Sequence, residues 1–272
     1  MEFQVLSIHG VPRSGTSWLG QVFDSHPDVA YRHQPLFAYR FKDRLNLQST
    51  RQDVRRFLDE LYQVEDDDFI LDASRREKAP DFWAKAIKTA PSPLMVMKEV
   101  RYHHLLPLLL ESVPGMKIIG IVRHPCAVIN SWLQAPKEFR AGWDELAEWR
   151  YAPKKNEGRI EEFNGFAKWT EVAGLFLRLE REYPDNFILT RYECLMADAE
   201  REIGRLFTFA GLPPHPQAQE FIRMSRSRHD SDPYSVFKDP ATRDRWPAEL
   251  NPAIAAAILA ETRGSELERF TQ

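Results

Sequence analysis

The stretch VLSIHGVPRSGTSWL, from Val5 to Leu19, constrains the fold more than any other part of this chain. Val5 to Ile8 reads as a strand, a Gly/Ser/Thr turn follows, and a helix is expected from about Ser17 to Ser25. A strand that hands over to a helix in this way leaves several backbone N–H groups unpaired at the positive end of the helix dipole. Gly10 and Gly15 let the backbone curl close to an anion, and Ser14, Thr16 and Ser17 add hydroxyl donors. The spacing is that of a nucleotide phosphate loop, G-x-x-x-x-G-K-[ST], but Thr16 stands where the lysine belongs. In nucleotide hydrolases that lysine bridges the β- and γ-phosphates. The only cation in this loop is Arg13, a forked donor suited to a terminal oxyanion, so a donor without a γ-phosphate fits. A plain strand-to-helix turn with good capping is the competing reading.

Further strand candidates are Ala30-Tyr31, Phe69 to Asp72, Leu94 to Met97, Lys117 to Val122 and Asn186 to Leu189. They are short apolar runs separated by sequence long enough for helical crossovers. The pattern predicts an α/β fold of three layers, a mostly parallel central sheet flanked by helices, of the phosphate-loop nucleotide-binding type. Phe166, Trp169, Val172, Ala173, Phe176 and Leu179 fall on one face of a helix, Asp198 caps another, and 252–270 reads as a surface helix. The length of 272 residues suits one domain, 1–272, with 137–165 as an insertion, lid or peripheral helical hairpin. A net charge of −3 gives no reason to expect nucleic acid or an anionic membrane as partner, so an anion site must be a local cluster. Two cysteines, Cys126 and Cys194, are too few for a disulfide framework and suit a reducing compartment. With no basic-then-apolar leader and no apolar run of membrane-spanning length, the expected location is the cytoplasm.

A second stretch, KIIGIVRHPCAVINSWL, delivers Arg123 to a strand end, breaks pairing at Pro125 and starts a helix at about Cys126. Arg123 and Ser131, roughly two turns apart, can grip one phosphate, although Arg123 could equally be a surface ion-pair partner. Together the two stretches resemble the sulfotransferases that use 3′-phosphoadenosine 5′-phosphosulfate (PAPS). Pro12-Arg13-Ser14-Gly15-Thr16-Ser17-Trp18-Leu19 matches that family's P-[RK]-S-G-T-[ST]-x-L loop, and IVRHPCAVINS matches its strand, Arg, Pro turn and helical Ser. A softer match is Tyr192-Glu193-Cys194-Leu195 after the last strand, followed by the Phe209-Ala210-Gly211-Leu212 turn.

The resemblance implies transfer of a sulfuryl group from PAPS to a hydroxyl or amine, with adenosine 3′,5′-bisphosphate (PAP) as product and no metal required. It implies the 5′-phosphosulfate in the loop Arg13, Ser14, Gly15, Thr16, Ser17, Trp18, the 3′-phosphate between Arg123 and Ser131, and Tyr192 near the adenosine. Lys238, before Trp246, is similar to a late basic residue that closes over the nucleotide. Lys98, at the end of LMVMK, is similar to the lysine that reaches the transferring group, with Arg13 assisting it. The aryl branch has Lys-Thr-His here, whereas this chain reads Lys98-Glu99-Val100. The branch resembling protein-tyrosine and carbohydrate sulfotransferases often places a Glu after a His-Pro turn like SHPDV, where this chain has His33-Gln34. His33 is therefore the expected general base, with Glu99 in reserve. His103 and His104 diverge and form no metal pair. The acceptor is a small molecule, glycan or peptide. Trp143, Trp149, Tyr151, Phe163 and Phe166 are candidates for its pocket or for the core. Two alternatives stay open: a phosphate-loop kinase or hydrolase with a displaced lysine, for which Asp72 would end a magnesium-binding strand, and a non-catalytic nucleotide-binding protein.

Overall fold

A computed structural model describes residues 2–228, 230, 232, 234–237 and 245–272. Five strands form one parallel sheet: β1 (Gln4–His9), β2 (Val29–His33), β3 (Leu94–Glu99), β4 (Lys117–Val122) and β5 (Phe187–Arg191). Their order is β2-β3-β1-β4-β5. The longer helices are α1 (Thr16–Asp24), α2 (Arg51–Tyr62), α3 (Leu106–Ser112), α4 (Pro125–Leu133) and α5 (Phe166–Glu182). They are followed by α6 (Tyr192–Ala197), α7 (Ala199–Ala210), α8 (Pro216–Ser227) and α9 (Pro252–Thr262).

Period-two alternation along the strands divides the core in two. Leu6, Ile8, Val96, Ile119 and Ile121 face α1, α7 and α8, whereas Val5, Met95, Met97, Ile118 and Val122 face α2, α3, α4, α5 and α9. The expected three layers are present. Helix starts follow local chemistry: Thr50 and Asp53 close a capping box on α2, Asp198 accepts from Arg201 N–H at α7, and Pro125, Pro216 and Pro252 occupy first turns. The six apolar residues expected on one face of α5 are all buried.

Two expectations change. Phe69 to Asp72 is not a strand: Asp67 Oδ1 accepts from Phe69 and Ile70 N–H at 3.1 and 3.0 Å and bends the chain into a turn. The tail is a helix only to Thr262; after Gly264 it becomes a 3-10 turn, Glu266–Phe270, that buries Phe270 against Trp169. Segment 137–165 packs on the body, with Phe163 buried edge-on against His103 at 4.6 Å. Among the described residues no helix is long and apolar enough to cross a membrane.

The chain moves from β1 outward to β2, returns to β3, and then crosses to β4 on the other side of β1. Such a reversal opens a crevice above the carboxyl ends of the central strands, where ligands of open parallel sheets sit.

Candidate active site

A cavity of about 330 Å³ lies in that crevice. Its floor is the turn between β1 and α1. Gly15, the N-cap, has φ +95° and among the described residues no side chain caps the first-turn amides, so those N–H groups face the cavity for a ligand. A Cβ on Gly15 would come within 2.5 Å of the Tyr192 ring, so this close approach admits only glycine. Gly15, Thr16, Ser17 and Trp18 line the cavity. Trp18 is fixed by its indole N–H, which donates to Ser225 Oγ at 2.9 Å.

Ser14 is not brought to the cavity wall. Its N–H donates to Val11 C=O at 3.2 Å, and its hydroxyl, buried beside Val122 and Trp169, has no partner among the described residues. Arg13, also left-handed at φ 73°, lines the cavity but turns toward α4: Nε donates to Ser131 Oγ at 3.0 Å, and Glu138 lies 4.0 Å away. Arg123, at the end of β4, donates from Nη1 to Arg13 C=O at 3.1 Å and stacks over Tyr192 at 4.6 Å. Trp169 Nε1 holds the Arg123 carbonyl at 3.0 Å. Arg13, Arg123, Ser131 and Tyr192, spread over 180 residues of sequence, thus share one wall. Lys238 lies outside the described residues.

On the other side of the loop, Lys98 reaches the cavity from the end of β3 while only 1 % exposed. Burial, and then the neighbouring Arg75 charge, pull its ammonium down to about 7. Glu99 follows on the strand and so faces the opposite side. Burial pushes it up to about 8, with Oε1 accepting from Leu36 N–H at 2.8 Å and Oε2 without a partner among the described residues.

His33 is not on the cavity wall either. It sits behind Gln34 and Arg75, whose nitrogens lie 3.0 and 3.2 Å from its Nε2, and its Nδ1 faces Asp72 at 3.6 Å. Burial and the Lys98 and Arg75 charges hold it well below the ordinary histidine range, so it is neutral. Asp72 does not end a strand; it donates nothing to a metal-like cluster but binds Arg75 and Gln21 Nε2, the latter at 2.8 Å. Among the described residues no three His, Cys, Asp or Glu side chains converge as a metal site. His103 is buried, 3.1 Å from His9 between Nδ1 atoms, and His104 is half-buried. Of the five aromatic acceptor candidates none lines the cavity; Phe163 and Phe166 belong to the core.

Sequence reasoning missed Arg75, Arg226 and Trp246 on the cavity wall. Arg226 is pinned by the Leu195 and Met196 carbonyls, and Trp246 stacks on His124 at 4.7 Å. Only Trp246 carried a hint, its place after the basic stretch.

Residues 6–216 match the Sulfotransferase family over more than half of the chain. This chain belongs to that family. It is 26 % identical to mouse carbohydrate sulfotransferase 5 over 257 residues, covering 77 % of this chain and 64 % of the relative. It is likewise 26 % identical to a putative protein-tyrosine sulfotransferase of Caenorhabditis briggsae over 219 residues, 77 % and 66 % of the two chains. The chain thus spans just under two thirds of the length of these curated relatives. The fold is shared with mouse sulfotransferase SULT7A1, solved in complex with PAP, at a TM-score of 0.60 and 15 % identity, covering 99 % of this chain and 87 % of that one.

Proposed function

We propose that this sulfotransferase-family protein moves a sulfuryl group from PAPS to a hydroxyl or amine of a glycan, peptide or small molecule. The observation that carries the reading is one cavity with two anion-binding regions: the amide-rich, lysine-free loop and the Arg123–Ser131 wall. A donor with phosphates at both ends of its ribose uses both. A triphosphate leaves the second without a role. The residues fit such a donor: glycine alone permits the loop's approach to Tyr192, and Ser131, Arg123 and Arg13 converge on one side. The relatives' names, carbohydrate and protein-tyrosine sulfotransferases, support a glycan or peptide acceptor. Two unpaired cysteines support a reducing, cytoplasmic setting.

In the transfer the bond from sulfur to the bridging phosphate oxygen breaks, its electron pair stays on the phosphate, and the acceptor bonds to sulfur as its proton passes to solvent water. The protein's part is to hold charge in place. Loop amides and Ser17 and Thr16 hydroxyls steady the 5′ end, and Lys98, which takes up a proton from solvent when the anion binds, faces the group in transit. Arg123 and Ser131 fix the 3′-phosphate, and Trp18 and Tyr192 border the adenosine. His33, one residue layer behind the wall, acts in this reading as a positioning residue.

Calorimetry with PAP and with ATP plus magnesium tests the reading. PAP is expected to bind without magnesium; binding of ATP with magnesium only ends the proposal. Arg123→Ala is expected to weaken PAP by roughly 10- to 100-fold, the worth of charge-assisted bonds to one phosphate. Adenosine 5′-phosphate should lose much less, and equal losses contradict the 3′-phosphate role.

A further inference from the structure

The strand order lays the site out as a row. Arg123 and Tyr192 stand over β4 and β5, the phosphate loop over β1, and Lys98 over β3. Beyond Lys98, on the β2 side, the cavity wall is completed by Gln34 and Arg75. Arg75 comes from a one-turn helix, Ala73–Arg76, and is held from behind. Its Nη1 donates to Asp72 Oδ1 at 2.5 Å and to His33 Nε2 at 3.2 Å. Asp72 is 2 % exposed, sits in the left-handed region at φ 57°, and is itself gripped by Gln21.

This anchoring occupies a single nitrogen. Among the described residues Nη2 has no hydrogen-bond partner, and Nε is buried without one. Nε and Nη2 form the guanidinium edge that takes an oxyanion with two parallel bonds. A buried N–H without a partner is costly in a resting fold and is the pattern of a site awaiting a ligand. The other cations cannot substitute. Arg13 gives its Nε to Ser131 on the far wall, Lys98 is a point donor without a fork, and Arg101, bonded to Gln34 and Glu162, is not on the cavity wall, so the forked cation lining this end is Arg75.

Building on the donor assignment above, we propose that Arg75 is a further catalytic residue whose Nε–Nη2 edge holds two oxygens of the sulfuryl group in transit, with Asp72 and His33 as positioning residues. The acceptor enters beyond it, past the open side of β2. This location explains why a neutral, buried histidine and a buried aspartate serve one arginine.

The test uses PAP-saturated protein titrated with orthovanadate, whose oxygens occupy the place of the transferring group, read by calorimetry. Arg75→Ala is expected to keep PAP affinity and to lose vanadate affinity by about 100-fold, the usual effect of removing one charge-stabilising donor. Arg75→Lys, which retains charge and the packing of the stem but not the fork, is expected to lose about 10-fold and guards against a variant that does not fold. Asp72→Asn is expected to fall between wild type and Arg75→Ala. Vanadate affinity unchanged in both Arg75 variants, or PAP affinity falling in parallel with it, overturns the assignment, as does a PAP-saturated parent that takes up no vanadate. A parent that fails to bind PAP overturns the donor reading itself, so the two failures are told apart.

Discussion

Replacing Gly15 with alanine asks whether the anion loop depends on one close approach. The added Cβ meets Tyr192 Cδ2 at 2.5 Å and Cε2 at 2.8 Å, where ordinary contact begins near 3.4 Å. The ring must therefore withdraw by about 1 Å. Alanine at φ +95° also costs about 1–2 kcal/mol of backbone strain, and forcing a packed ring aside adds about 1–3 kcal/mol. For a chain of this size that sum lowers the melting temperature by about 4–9 °C. The functional effect follows from the stack above the ring. Tyr192 supports the Arg123 guanidinium at 4.6 Å, and Arg123 in turn holds the Arg13 carbonyl. Displacing the ring moves both, and PAP affinity is expected to fall at least about 10-fold, since a misplaced charge-assisted bond loses most of its worth. Differential scanning calorimetry gives the first quantity, and titration with PAP at a temperature where the variant is folded gives the second. A variant that melts with the parent and binds PAP equally well refutes the reasoning.

Lys98, pulled from 10.5 to about 7, should be driven back to its charged form by an anion, so PAPS binding near pH 8 is expected to take up close to one proton. Calorimetric heats in buffers of different ionisation enthalpy read this uptake, and Lys98→Met should abolish it; undiminished uptake in the variant contradicts the role. Glu99 rises from 4.5 to about 8, so the stability its proton confers is full below pH 4.5 and is lost as the pH climbs through about 8. Glu99→Gln keeps the acceptor for Leu36 N–H and should melt higher than the parent at about pH 8, with a flatter fall across that window; parallel melting curves would count against it. Gly120→Ala is the contrast to Gly15: its Cβ meets Phe187 and Phe176 at 2.7 and 2.8 Å in the core, costing about 1–3 kcal/mol of stability. PAP affinity of the folded variant should stay within about twofold, and a larger loss would mean that strand β4 transmits strain to the site.

What the chain determined by itself is everything that local rules specify. The turn from Gly10 to Thr16, the strand that ends at Arg123, the helix that presents Ser131 and the apolar face of α5 each lie within one contiguous segment, where glycine spacing and periodicity are sufficient. The alternation that separates Lys98 from Glu99 is equally local. The tertiary structure decided which of these side chains meet and which way they point. Arg13 turns to Ser131, and Ser14 turns into the core, because packing around α4 and Trp169 selects among rotamers that the sequence leaves equivalent. His33 falls behind the wall because Arg75 occupies the place in front of it. Arg75 itself lies on a four-residue helix with no periodicity, beside an apolar run that reads as a strand until Asp67 bends it. Its neighbours Gln21, His33, Asp72 and Lys98 come from four separate segments, and only folding brings their charges within reach of one another.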